Sequence, residues 1–180
     1  MFALAQRSRL LSRQMCAYAA TTEFCMTAIH RPHWRAATLA TSCIYAGALA
    51  GVSFLATPVK FLAPSLQLPV ALDVGRYTFF VFNKVEWAAT MIVLVCCLFS
   101  RARWKTIAAL VIAGAVAADT IWLLPALDAR VATIMRGQWP ESSWLHQAYI
   151  GLDIAKFVLL IAISANAWSQ LAGSRTIRAA

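Results

Sequence analysis

Four apolar stretches, at about 36–57, 77–99, 106–124 and 147–171, limit what this chain can fold into. An α-helix rises about 1.5 Å per residue, so about twenty apolar residues cross a bilayer core roughly 30 Å thick. The apolar residues arrive in blocks instead of alternating. With 61% of the 180 residues hydrophobic and only 13% charged, the chain is far more apolar than a soluble domain. The expected fold class is all-α, an antiparallel four-helix transmembrane bundle over residues 34–172. A basic N-terminal tail, 1–33, precedes it and a basic C-terminal tail, 173–180, follows.

A formal charge of +9 would suggest nucleic acid in a soluble protein, but here its distribution carries the information. Arg31 and Arg35 precede the first stretch, Arg101, Arg103 and Lys105 fill the link between the second and third, and Arg175 and Arg178 follow the fourth. Short cytoplasmic loops accumulate Lys and Arg, so both termini are expected inside. The opposite links are mixed in sign, with Lys60, Asp73 and Arg76 in one and Asp128, Arg130, Arg136 and Glu141 in the other. Trp34, Trp104 and Trp168 fall at the expected inner interface, and Tyr77, Trp122, Trp144 and Tyr149 at the outer one. The implied partner is the lipid bilayer, and no nucleic acid is needed to explain the basic charge.

In the tail, Arg7, Arg9 and Arg13 stand among Ala, Leu and Ser with Glu23 as the one acid, a composition like that of an organelle transit peptide. Ahead of that stands the reading that Met26 is the true start and that the tail is disordered or absent from the mature chain. Cys16, Cys25, Cys43, Cys96 and Cys97 show no C-x-x-C spacing, so neither a disulfide framework nor a metal site is expected. Adjacent Cys96 and Cys97 read as small buried hydrophobes, ahead of acylation or soft-metal binding.

Charged residues inside the apolar stretches are more informative, because an ionised side chain at membrane depth needs a partner or a purpose. Steps of three and four return to one helix face, which sets Arg76, Phe80, Asn83 and Glu86 or Trp87 on one stripe and points Lys84 elsewhere. In the fourth stretch His146, Tyr149, Asp153 and Lys156 share a face. Measured along the helices, Glu86, Asp119 and Lys156 reach similar depths, about 8–15 Å below the outer surface. Asn83, Lys84, Glu86, Asp119, His146, Asp153 and Lys156 therefore form a candidate polar cluster in the outer half of the bundle. Either it locks helix register, or it is an ionisable site that carries protons or takes up a polar solute.

Gly47-x-x-x-Gly51 marks a helix-packing face in the first stretch, for a neighbour in the same chain or another copy. Pro58 and Pro64 are expected to end that span, with 65–76 as an interfacial link, and Pro125 to end the third span. Beyond it Asp128 and Arg130 are placed to pair along the surface, and Ser142 or Ser143 is a suitable cap for the last helix, with Glu141 near its start. His146, one turn inside, reads as a hydrogen-bonded interfacial histidine ahead of a haem or metal ligand, since no second histidine falls in the expected spans. No G-x-S-x-G, Walker loop or H-E-x-x-H is present, so no catalytic residue and no cofactor is assigned.

The Gly-rich first helix leading to Phe54 and a proline-broken link, the Trp122-Leu-Leu-Pro125 run with Arg130, and His146-x-x-Tyr149 opening the fourth helix resemble domain of unknown function 4149, the family of the animal transmembrane protein 205. The likeness covers about residues 35–170, with a shorter link before the fourth helix and the added pair Lys84 and Glu86. It implies a four-helix membrane architecture and a bacterial inner membrane, ahead of a mitochondrial one, and implies no particular chemistry. The expected function is an accessory or structural membrane protein. The alternatives are a small transporter or proton-conducting protein using Glu86, Asp119 and Asp153, or a haem- or quinone-binding redox protein with His146 as a ligand across a dimer. A second copy or another membrane protein is the companion to look for.

Overall fold

The computed structural model describes residues 33–138 and 140–173, together with the helical course of 174–179. The tail with Arg7, Arg9, Arg13, Met26 and Arg31, residue Trp139, and the side chains of Arg175 and Arg178 lie outside the described residues. All regular structure among the described residues is helical. Four helices are long and apolar enough to cross a membrane: α1 (His33–Leu62), α2 (Leu68–Ser100), α3 (Arg103–Met135) and α4 (Leu145–Ala179).

Local chemistry sets the helix ends. Pro69 fits the first turn of α2, where its missing N–H would have no partner in any case. At its other end Arg101 turns left-handed (φ 54°) and donates its N–H to the Leu98 carbonyl at 3.1 Å, so α3 begins after only Arg101 and Ala102. α3 closes at Gly137 (φ 80°), with Gly137 N–H on Ile134 O at 2.9 Å and Gln138 N–H on Thr133 O at 3.3 Å. Glycine suits that position because a Cβ would strain the left-handed backbone. Ser143, one of the two expected caps, accepts the Leu145 N–H on its Oγ at 3.2 Å.

Pro58 and Pro125 do not end their helices, contrary to expectation. Each is preceded by a widened π-helical segment, Ala50–Ala56 in α1 and Asp119–Leu123 in α3. The residue before each proline bonds five positions back: Thr57 N–H to Val52 O, and Leu124 N–H to Asp119 O. The wider turn relieves the clash between the proline ring and the preceding turn while the chain stays helical. Likewise 65–76 is not an interfacial link, because α2 starts at Leu68. Longer helices move the expected depths: Asp119 is the middle residue of Arg103–Met135 and Glu86 lies near the middle of Leu68–Ser100.

The helices pack in three layers. At one end Trp34 stacks on Phe99 with ring centroids 4.5 Å apart, and Ser42 and Ser164 bring α1 and α4 to an oxygen–oxygen distance of 2.7 Å. An apolar core of Tyr45, Leu49, Phe82, Val93, Ile112, Val116, Leu160 and Ile163 fills the interior. At the other end Arg76 pairs with Asp73 at 3.1 Å and with Asp128 at 3.3 Å, tying α2 to α3. Asp128 thus pairs with Arg76 and not Arg130, whose guanidinium donates to the Glu141 carbonyl. Lys105 is not part of a charged surface link but fully buried. Outward faces are apolar, with Ile121 79%, Leu62 77% and Ile44 72% exposed, a surface suited to acyl chains and not to water.

Gly47 and Gly51 are not an internal packing face, since a Cβ at either would meet nothing within 4 Å. The close approach of α1 falls instead on the stripe Thr38, Ser42, Tyr45 and Leu49, all buried. Replacing Ser164 with Leu at the Ser42 contact should overpack it and destabilise the protein by about 1–3 kcal/mol. Gly47→Ala should stay within about 0.5 kcal/mol of wild type. Unfolding midpoints in detergent distinguish the two, and an equal loss would contradict this assignment of the α1 face.

Candidate functional site

Lys156 is eleven residues into α4 and fully buried, and its ammonium is the hub of the interior. Nζ donates to Glu86 Oε1 of α2 at 2.7 Å and to Asp119 Oδ2 of α3 at 2.8 Å. It also lies 2.7 Å from Asp153 Oδ1, one turn back on its own helix. All four charged side chains are no more than 1% exposed. The π segment that accommodates Pro125 starts at Asp119, so the backbone adjustment and the carboxylate occupy the same place.

A second ring of polar groups surrounds this hub. From α1, the Tyr45 hydroxyl donates to Glu86 Oε1 at 3.1 Å, and the Thr90 hydroxyl donates to Tyr45 Oη at 3.4 Å. Every helix therefore contributes to one network. Beside it, Thr120 Oγ1 accepts from Trp87 Nε1 at 2.9 Å and lies within donor reach of Asn83 Oδ1 at 3.0 Å and of the Val116 carbonyl at 2.7 Å. Tyr149 closes the remaining side, its ring 5.9 Å from Lys156 Nζ and edge-on to Phe79 at 5.1 Å.

Of the sequence candidates, Glu86, Asp119, Asp153 and Lys156 come together, with Asn83 adjacent. Two do not. Lys84 is exposed on the outer face of α2, its ammonium over the Phe80 ring at 4.4 Å, because one residue of offset turns it away from Glu86. His146 is exposed at the start of α4, one turn before the face closes on the interior. A further histidine, His33, opens α1, beside the Trp34 that stacks on the far end of α2. Phe80 also leaves the expected stripe, 58% exposed, and Phe79 takes its place; Tyr149 is buried and not at an interface. Tyr45 was missed in the sequence, although its spacing from Thr38 and Ser42 gives a small polar stripe that points to it.

Chemically, the arrangement is one ammonium facing three carboxylates, with no second cation paired to them among the described residues. Asp119 Oδ1 and both Asp153 oxygens lack a well-directed hydrogen bond, and Asn83 Nδ2 is likewise unsatisfied. Among the described residues no group of His, Cys, Asp and Glu is arranged to hold a metal ion. The sequence matches no family model, no curated protein and no solved structure.

Removing one partner of a buried ion pair is strongly destabilising because the other charge stays buried and unpaired. Lys156→Met should cost about 3–5 kcal/mol, and adding Glu86→Gln and Asp119→Asn to it should recover most of that loss. Denaturant unfolding in detergent measures both. A triple variant no more stable than the single would mean that the ammonium does not hold these carboxylates.

Proposed function

We propose that this chain is an accessory or structural integral membrane protein of a bacterial inner membrane, an antiparallel four-helix bundle with both termini in the cytoplasm. In this reading the Lys156 centre fixes the register of the helices. The supporting observation is that one fully buried ammonium on α4 donates hydrogen bonds to α2 and α3, while the Tyr45 hydroxyl of α1 donates to the same Glu86 oxygen. Buried ionic groups of this kind specify an arrangement more than they add stability. The basic link at Arg101 and Arg103 supports the topology through the bias of Lys and Arg toward cytoplasmic loops. Membership of the domain of unknown function 4149 family is proposed on the Phe54, Pro125, Arg130 and His146-x-x-Tyr149 pattern together with four apolar helices.

A second reading, proton-coupled transport, is favoured by the charge count. One ammonium against three carboxylates leaves two formal negative charges uncompensated, and protons are the smallest species that balance them in a dry interior. Reconstituted liposomes separate the two readings. For the structural role, an Asp153→Asn protein that folds should leave proton and solute flux at the wild-type level. A folded Asp153→Asn or Glu86→Gln protein with altered flux would instead establish transport.

A further inference from the structure

Of the four charged residues in α2, Asp73 and Arg76 pair with each other and Glu86 is held by Lys156, which leaves Lys84 without an ion pair among the described residues. Lys84 is the middle residue of Leu68–Ser100, so about 24 Å of helix lies on either side of it. It is exposed, and its ammonium reaches back one turn to the Phe80 ring, 4.4 Å from the centroid. The aromatic face attracts the cation but neutralises none of its charge. Around it the surface is apolar, with Phe80 and Val81 each 58% exposed and Val85 49%. An ammonium on a face turned to acyl chains is costly unless an opposite charge meets it.

Exposed positions run along this face as Tyr77, Val81, Lys84, Ala88, Met91 and Val95, in alternating steps of four and three. By that spacing a helix meets a facing helix along a seam, and a polar residue on the seam sets which partner it takes. Ala88, one turn beyond Lys84, lets a second backbone come close. We propose that this face of α2 docks a transmembrane helix of another protein, one that carries an Asp or Glu at mid-membrane depth, with that carboxylate received by Lys84. A second copy of this chain does not fit. Two copies meeting on the seam would oppose one ammonium to another, and Glu86, Asp119 and Asp153 are no more than 1% exposed and already face Lys156. Asp73 and Asp128 are engaged by Arg76 at the end of the bundle. A lipid phosphate sits outside the hydrocarbon core, whereas this ammonium lies over Phe80 within the apolar stretch. The inference rests on the reading as an accessory membrane protein, to which it adds the chemistry of the companion.

The probe is a synthetic Leu–Ala transmembrane peptide of about twenty residues with one Asp at its centre, alongside peptides with Asn or Leu at that position. The full-length protein is reconstituted with each in phosphatidylcholine vesicles, and binding is read by energy transfer from the protein's tryptophans to a dansyl group on the peptide. Trp87, one turn from Lys84, is among the donors. The Asp peptide should bind about tenfold tighter than the Asn or Leu peptide. Lys84→Met should abolish that preference, Lys84→Arg should keep it, and Lys84→Glu should transfer it to a peptide bearing Lys. The proposal is overturned if the three peptides bind alike or if the preference survives Lys84→Met. Loss of the preference when phosphatidylglycerol replaces phosphatidylcholine would also overturn it, by giving the ammonium to a lipid headgroup. Self-association that depends on Lys84 would overturn it in favour of a second copy. Lys84→Met should unfold in detergent at the wild-type midpoint, and a variant that failed to fold would place the ammonium in the bundle's own contacts and sink the idea. The register role of Lys156 is tested by its own variants with Lys84 in place, so either reading can fail while the other stands.

Discussion

Desolvation of charge is the constraint on which the rest of this structure depends. An ammonium and carboxylates far from water are tolerable only when they face each other at hydrogen-bond distance, and Lys156 meets Glu86 and Asp119 at 2.7 and 2.8 Å. Apolar packing between helices gives little directional preference in lipid, because acyl chains are as apolar as the side chains they would replace. The polar centre adds to that interface directed hydrogen bonds that join α4 to α2 and α3. The small-residue contact of Ser42 with Ser164 and the Arg76 pairing with Asp128 then hold the two ends in that same arrangement.

The backbone is adapted to this centre. Both interior prolines follow a π turn, and one of those turns begins at Asp119. An inserted residue rotates everything beyond it relative to everything before it, so α3 can present Asp119 inward while Thr120 turns toward Trp87 and Asn83. The two buried lysines show how much environment decides the meaning of one residue type. Lys156 has three carboxylates within 2.8 Å, whereas the ammonium of Lys105 donates to the amide oxygen of Gln170.

Much of this was legible in the sequence because membrane helices announce themselves by length and composition. Glu86, Asp119, Asp153 and Lys156 stood out as charges in apolar surroundings, and helical spacing placed them at matching levels. The errors have a common origin. Reading Pro58 and Pro125 as helix ends assumed a strict α-helix, and π turns do not show in a hydropathy pattern. Shortened helices then pushed the centre toward one surface and left Arg76 in a link. Lys105 reads as a loop charge from sequence because a two-residue connection closed by a left-handed Arg101 is not evident from composition. Gly47 and Gly51 carried a common motif, but the interior was given to the neighbouring stripe through Tyr45, whose hydroxyl could reach Glu86.

The location of the hub on α4 has a consequence for synthesis. A ribosome delivers α1, α2 and α3 to the membrane before α4, so Glu86 and Asp119 emerge before the ammonium that will accompany them. Asp153 and Lys156, by contrast, are one turn apart on a single helix and travel together as a matched pair. The first three helices must therefore wait, in the insertion machinery or against its watery channel, until the fourth arrives. Arrival of α4 and closure of the bundle become one event, and a product truncated before α4 would be left with acids that no other described residue neutralises.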